Sequence, residues 1–250
     1  MEEQYQAKRN ELSSEMLPFK KQILLLAVGW IGFRILATII EIIVGLAFSK
    51  YLGVSFKEAL SNYSASMIIN ASAYIVLLVL LLFIAYSDLN KLVKSFKQYQ
   101  SYIAGVVCVV AIFAFNIFYN MIVQLLKTPV TDNINQQSLE SLESLYPVTS
   151  MIVFGFIGPI CEELTYRVGL FSACKRKSRV LAYAVTIVVF SLIHFNYSTK
   201  YLVNELLNLP FYAFAAVAFS FTYDHFGFAG SVTAHILNNV ISLAFVTAIR

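Results

Sequence analysis

The chain has 250 residues, 59% of them hydrophobic and only 13% charged, with a formal net charge of +4 and a mean hydropathy of +0.72. Soluble domains carry about 25% charged residues to keep a solvated surface, so this composition excludes a soluble enzyme or a disordered regulator and places the chain in a bilayer. A nucleic-acid partner is excluded too, because the charge is modest and the basic residues fall in short clusters rather than along one face.

A spanning helix needs roughly 20 mostly apolar residues. Runs of this kind are Ile23 to Phe48, Met67 to Tyr86, Tyr102 to Leu126, Thr149 to Ala173, Val180 to Phe195, Phe211 to Tyr223 with a weaker lead-in from Tyr201, and Phe228 to Ile249. They predict an all-α, multi-spanning bundle of about seven (six to eight) membrane helices, forming a single integral-membrane domain over residues 1–250. The first run is too long for a signal-peptide core and is expected to remain as an uncleaved span. In that span Arg34 and Glu41 share a side, about 10.5 Å apart in rise, and are expected to form structural ion pairs with each other or with neighbouring helices. In the third, Asn116, Asn120 and Gln124 make a polar stripe at spacings of four, suited to bonding a neighbouring helix or lining a cavity. Cys108, Cys161 and Cys174 have no metal-ligand spacing and are expected to be small core residues.

Lys and Arg in short loops set orientation. Eleven of them, Lys8, Arg9, Lys20, Lys21, Lys91, Lys94, Lys97, Lys175, Arg176, Lys177 and Arg179, fall at one set of loops, against five (Lys50, Lys57, Lys127, Lys200 and Arg250) at the other. The expectation is a multi-pass protein of the cell membrane with a cytoplasmic N-terminus. Lipid bilayer is thus the first partner, and Lys175 to Arg179 should also attract anionic headgroups.

Ionisable groups inside spans are costly and need a partner or a task. They concentrate in the last hundred residues. The fourth run contains Gly158-Pro159-Ile160-Cys161-Glu162-Glu163-Leu164-Thr165-Tyr166-Arg167, where the Gly-Pro pair predicts a break or restart of the helix just before the two acids. Glu163 and Arg167 are four apart with the acid first, the favourable order for an intrahelical pair. Glu162 points about 100° away, and a carboxylate left alone in apolar surroundings is a natural proton-transfer group. The fifth run places His194 deep in an apolar helix, one turn after Phe190. The last places His235 and Asn239 on one face. Counted from the basic ends of their helices, Glu162, His194 and His235 lie about 18, 22 and 15 Å deep, so they can share a layer near the midplane. His225, in the Asp224-His225-Phe226-Gly227 turn, is expected to be solvated.

Histidine can take or give a proton near neutral pH, and a buried Glu can share a water with it. Neighbouring donors can stabilise the oxyanion formed when water attacks a peptide carbonyl. The same atoms allow a second chemistry: Glu162, His194 and His235 make a two-His-one-carboxylate set of the kind that holds catalytic zinc. Both a metal-free and a zinc-dependent reading therefore stand on the sequence.

Glu-Glu-x-x-x-Arg at Glu162, Glu163 and Arg167, Phe-x-x-x-His at Phe190 and His194, and His-x-x-x-Asn at His235 and Asn239 resemble the three motifs of the CPBP intramembrane proteases, the CAAX protease and bacteriocin-processing (Abi) family. The resemblance covers about residues 149–249. It implies an endopeptidase acting on a peptide or protein substrate, in which Glu162 with His194 activates water, His235 with Asn239 steadies the oxyanion, and Glu163, Arg167 and Phe190 shape the site. Compact members of the family are associated with bacteriocin maturation, self-immunity and peptide signalling. Tyr166 departs from the family pattern, which has Phe there. Two other classes use the same residues: a non-proteolytic membrane regulator or scaffold that keeps the motifs for folding, and a proton-coupled carrier.

Overall fold

A computed structural model describes residues 16–125, 131 and 133–248, with side chains described through Phe245. Lys8, Arg9, Lys127, Asp132 and Arg250 lie outside the described residues. Those that are described form helices and connecting turns, with no strand. The helices are α1 (Phe19–Leu52), the short α2 (Phe56–Leu60), α3 (Tyr63–Ala85) with a 3-10 and α tail reaching Lys97, α4 (Tyr99–Leu125), the polar α5 (Ile134–Leu145), α6 (Pro147–Lys175), α7 (Arg179–Ile193) and α8 (Leu202–Ala248). Five of these are long and apolar enough to cross a membrane, so the chain is a helical, multi-pass membrane protein.

Local chemistry explains the boundaries. α1 stops at Gly53, whose φ of 67° is the left-handed conformation of a helix end. Ser55 and Glu58 close a capping box at the start of α2, Asn62 caps α3, Asn133 caps α5 and Ser178 caps α7, each side chain supplying an acceptor to an otherwise unpaired amide. Pro147 begins α6, where its missing N–H costs nothing. α8 bends at Gly227, with φ 74° and ψ −170°, into two arms. That bend separates the sixth and seventh apolar runs.

Two boundaries differ from the sequence expectation. α6 does not break at Gly158-Pro159; it continues through two π-helical stretches, Met151–Ile157 and Glu163–Phe171. Wider i→i+5 turns absorb the proline and offset its ring from the preceding turn. α7 ends at Ile193, so His194 caps a helix end instead of lying within a span. The first arm of α8 begins at Leu202, matching the weaker lead-in from Tyr201, and runs through Pro210.

α6 lies at the centre. In its apolar window 56% of residues are buried, against 22% or less in the other four long helices. One of its sides packs Cys161, Leu164 and Val168 against Leu25, Leu77, Leu81 and Val232; the other packs Tyr166 and Leu170 against Cys108, Ile112, Phe190 and Phe219. The cysteines are free, two buried and one half-buried. Isoleucines 31, 35, 39, 42 and 43 of α1 face outward, as a lipid-exposed helix requires.

Basic clusters gather at one end of the bundle. There Asp88 takes Lys21 at 2.6 Å and Lys91 at 3.1 Å, and Asp224, just before the Gly227 bend, takes Lys175 and Arg179. Exposed His225 contacts Arg179 at the same bend. At the opposite end the buried Glu205 carboxylate accepts from the amides of Ile134 and Asn196, and Asn133 donates to the His194 carbonyl at 3.1 Å. These bonds satisfy the non-helical backbone after α7, which a bilayer tolerates only where protein provides partners.

Gly29 sets how close α1 comes to α6. A Cβ there would stand 1.9 Å from Thr165 Oγ1. Gly29→Val is expected to lower stability by about 1–3 kcal/mol through overpacking, read as a fall in the melting temperature of the detergent-solubilised protein. Adding Thr165→Ala should restore part of the loss; equal loss in the single and double variants contradicts this contact.

Candidate active site

The central position of α6 and the bend in α8 bring the motif residues around one open cavity of about 850 Å³. Glu162 reaches it from α6, Phe190 and His194 from the end of α7, and His235 and Asn239 from the second arm of α8. Every one of the sequence-predicted residues Glu162, Phe190, His194, His235 and Asn239 lines this cavity, while Glu163 and Arg167 stand behind its wall, fully buried.

Behind the wall runs a chain of charge. The Arg167 guanidinium lies 3.5 Å from Glu163 Oε2 and over the faces of Phe190 and Phe219, at 4.6 and 5.6 Å from the ring centres. Glu163 Oε1 lies 2.9 Å from His235 Nδ1. A carboxylate only accepts, so Nδ1 carries the proton and Nε2 is turned to the cavity. Phe219 stacks on the same imidazole at 4.4 Å and fixes its plane. The expected Glu163–Arg167 pairing is thus present, and it orients His235.

His194 is held in the same way by another acceptor. Its Nδ1 is 2.8 Å from the Phe190 carbonyl oxygen, one turn back, so it too donates from Nδ1 and keeps Nε2 free. Tyr212 stacks on its ring at 4.6 Å. Glu162 differs from both. Its Oε2 is buried without a hydrogen-bond partner and faces His235 Nε2 at 3.8 Å, too long for a direct bond and suited to one shared water. The imidazole measured closest to Glu162 is therefore His235, whereas the family resemblance implies His194 as its partner.

Asn239 has a structural connection that its motif does not reveal. Its Nδ2 donates to the Phe154 carbonyl at 3.0 Å. In the π-helical register of α6 the amide of residue 159 would fill that carbonyl, and residue 159 is proline. One amide hydrogen of Asn239 thus fills the gap left by Pro159, and the second remains for the cavity. Asn238 lines the cavity as well and donates to Asn239 Oδ1 at 3.1 Å.

The remaining lining is rich in carboxamides. Asn116 and Asn120 of the third-span stripe reach the cavity and Gln124 does not; the Asn116 Oδ1 is buried with no partner. Asn70 and Asn208 also contribute. Sequence reasoning missed them because an isolated Asn in an apolar run carries no spacing signal. Arg34 lines the cavity too, and among the described residues it forms no ion pair with Glu41 or any other acid within 4.0 Å. The expected structural pairing is not present: Arg34 is exposed at the open cavity.

The donors do not fit a zinc site. Among the described residues no three His, Cys, Asp or Glu side chains are grouped to hold a metal ion. His235 is committed to Glu163 through Nδ1 at 2.9 Å and turns Nε2 toward Glu162 at 3.8 Å.

Removing Arg167 leaves Glu163 buried beside a single imidazole. Arg167→Met is expected to cost about 3–5 kcal/mol, the usual penalty for an uncompensated buried partner. Denaturant unfolding in detergent measures it; a variant as stable as the wild type would show that the pair is not a structural support.

Residues 144–241 match the family model described as type II CAAX prenyl endopeptidase Rce1-like. The chain is also similar to an uncharacterized protein of Mycoplasma capricolum subsp. capricolum, 28% identical over 140 residues that take in 53% of this chain and 40% of that protein. The chain therefore spans well under two thirds of the length of that relative. No solved structure matches. The stretch carrying all three motifs, from the end of α5 into the second arm of α8, is thus an Rce1-like match, the family that those residues resemble.

Proposed function

We propose that this chain is an intramembrane endopeptidase that hydrolyses a peptide bond of a membrane-associated peptide or protein with water activated by Glu162. The observation that carries the proposal is the unpartnered Glu162 Oε2, set 3.8 Å from His235 Nε2 in a cavity that His194 and Asn239 also line. Support comes from the Rce1-like match, whose family is one of CAAX endopeptidases. The end of the bundle that carries the basic clusters faces the cytoplasm in this reading, in a cell membrane.

In the reaction the water oxygen bonds to the peptide carbonyl carbon while its proton passes to Glu162. The carbonyl oxygen becomes an oxyanion, met by the free Asn239 amide hydrogen and by the Nε2–H of His235 in its doubly protonated form. Donors already aimed at the developing charge are worth about 3–4 kcal/mol each. The carbon–nitrogen bond then breaks, and Glu162 returns its proton to the departing amine. His194 presents its free Nε2 to the same space and orients the water. No step is assigned to a metal.

Glu162→Gln keeps the size and hydrogen-bonding capacity of the side chain and removes the base. Cleavage is expected to fall at least a hundredfold, with membrane insertion and melting temperature unchanged, as read by mass spectrometry of membrane and medium peptides from cells carrying each version. His194→Ala should act in the same direction. If both variants support the same peptide profile as the wild type, the hydrolase reading falls and the non-proteolytic regulator takes its place.

A further inference from the structure

Among the described residues, Glu162 is the only carboxylate and Arg34 the only Lys or Arg side chain lining the cavity. They come from different helices, α6 and α1. The hydrolase reading gives Glu162 a task, whereas Arg34 has none. An arginine inside a bilayer is expensive unless it meets an anion, and among the described residues no acid lies within 4.0 Å of this one.

Depth narrows the source of the missing anion. Arg34 is fifteen residues beyond Phe19 and eighteen before Leu52 in α1, about 22 and 27 Å along the helix. Headgroup phosphates of either leaflet lie roughly 15 Å or more from the midplane, farther than the side chain extends. The anion must therefore arrive with the occupant of the cavity. Asn116, whose buried Oδ1 has no partner, asks the same occupant for an N–H donor. An occupant that brings both an amide hydrogen and an anion into this cavity is a peptide with a carboxylate.

We infer that Arg34 is the specificity residue of the cavity, binding a carboxylate of the peptide so that the neighbouring backbone is laid across toward Glu162. The guanidinium fork accepts a carboxylate through two parallel hydrogen bonds, which fixes orientation as well as affinity. This rests on the hydrolase reading for the fate of the peptide, while the anion site itself does not require cleavage.

The test uses the full-length protein in proteoliposomes and three fluorescent peptide libraries with the same randomised apolar tail. One has a free C-terminal carboxylate, one is C-terminally amidated, and one is amidated with a single internal Glu. Cleavage is followed by mass spectrometry, and binding is measured by anisotropy on the Glu162→Gln variant. Free-acid peptides are expected to be bound and cut at least tenfold better than amides, the loss typical of one charged hydrogen bond. Arg34→Gln should abolish that ratio and Arg34→Lys keep part of it. Rescue by the internal Glu assigns the carboxylate to a side chain and supports the same site. A ratio near one in the wild type, or one that Arg34→Gln leaves intact, overturns the inference. Arg34-dependent binding of free-acid peptides with no product sinks the hydrolase reading and leaves the anion site standing. Cleavage without preference does the reverse, and neither binding nor cleavage overturns both.

Discussion

The structure depends on one constraint: a charge enclosed by apolar helices has to be answered by another group of the protein. The row from Arg167 through Glu163 to His235 meets it. Each member comes from a helix that must pack tightly for the contact to form, so the polar row and the surrounding apolar clusters reinforce one another. Arg167 lies across two aromatic rings, one from α7 and one from α8. These rings hold the guanidinium and also wall the cavity. Packing and electrostatics are therefore satisfied by the same side chains, and the orientation of His235 follows from both.

Each imidazole donates from Nδ1 to an acceptor behind it and offers Nε2 in front. Glu162, among the acids and imidazoles lining the cavity, keeps a buried oxygen without a hydrogen-bond partner. A site that performs proton chemistry has to leave a group unsatisfied until another molecule arrives. The α6 backbone around this point is wound in wide turns on both sides of a short α-helical stretch, Gly158–Glu162. Such turns rotate side chains away from regular helical positions, which allows the adjacent Glu162 and Glu163 to serve opposite sides of the same wall.

Much of this was legible in the residues. Composition alone demanded a bilayer, runs of apolar residues marked the rods, and the Glu163–Arg167 spacing foretold the buried pair. The clustering of Lys and Arg in alternate loops anticipated the end at which Asp88 and Asp224 collect them. What could not be read was set by tertiary context. Pro159 looked like a break because the local rule counts a missing donor and a steric clash, whereas Asn239, eighty residues later, supplies a donor to the exposed carbonyl. Arg34 looked paired to Glu41 because spacing along a helix says nothing of which way that helix turns in the bundle. The end of α7 was placed too late, since Phe195 is as apolar as its predecessors; the chain leaves the helix because Asn133 and Glu205 offer its backbone other partners. Asn70 and Asn208 carried no pattern at all.

The brevity of α7 affects the surrounding lipid. Its 15 residues cover about 22 Å, short of the roughly 30 Å of hydrocarbon in an ordinary bilayer. Acyl chains beside it must shorten or tilt, or the leaflet must dimple, to avoid stranding polar loop atoms in oil. A bilayer that accommodates this flank would be thinner beside His194 than beside a full-length helix. Membranes built from longer or stiffer lipids resist that deformation, so the protein carries in one truncated helix a preference for thin, compliant regions of the surface it inhabits.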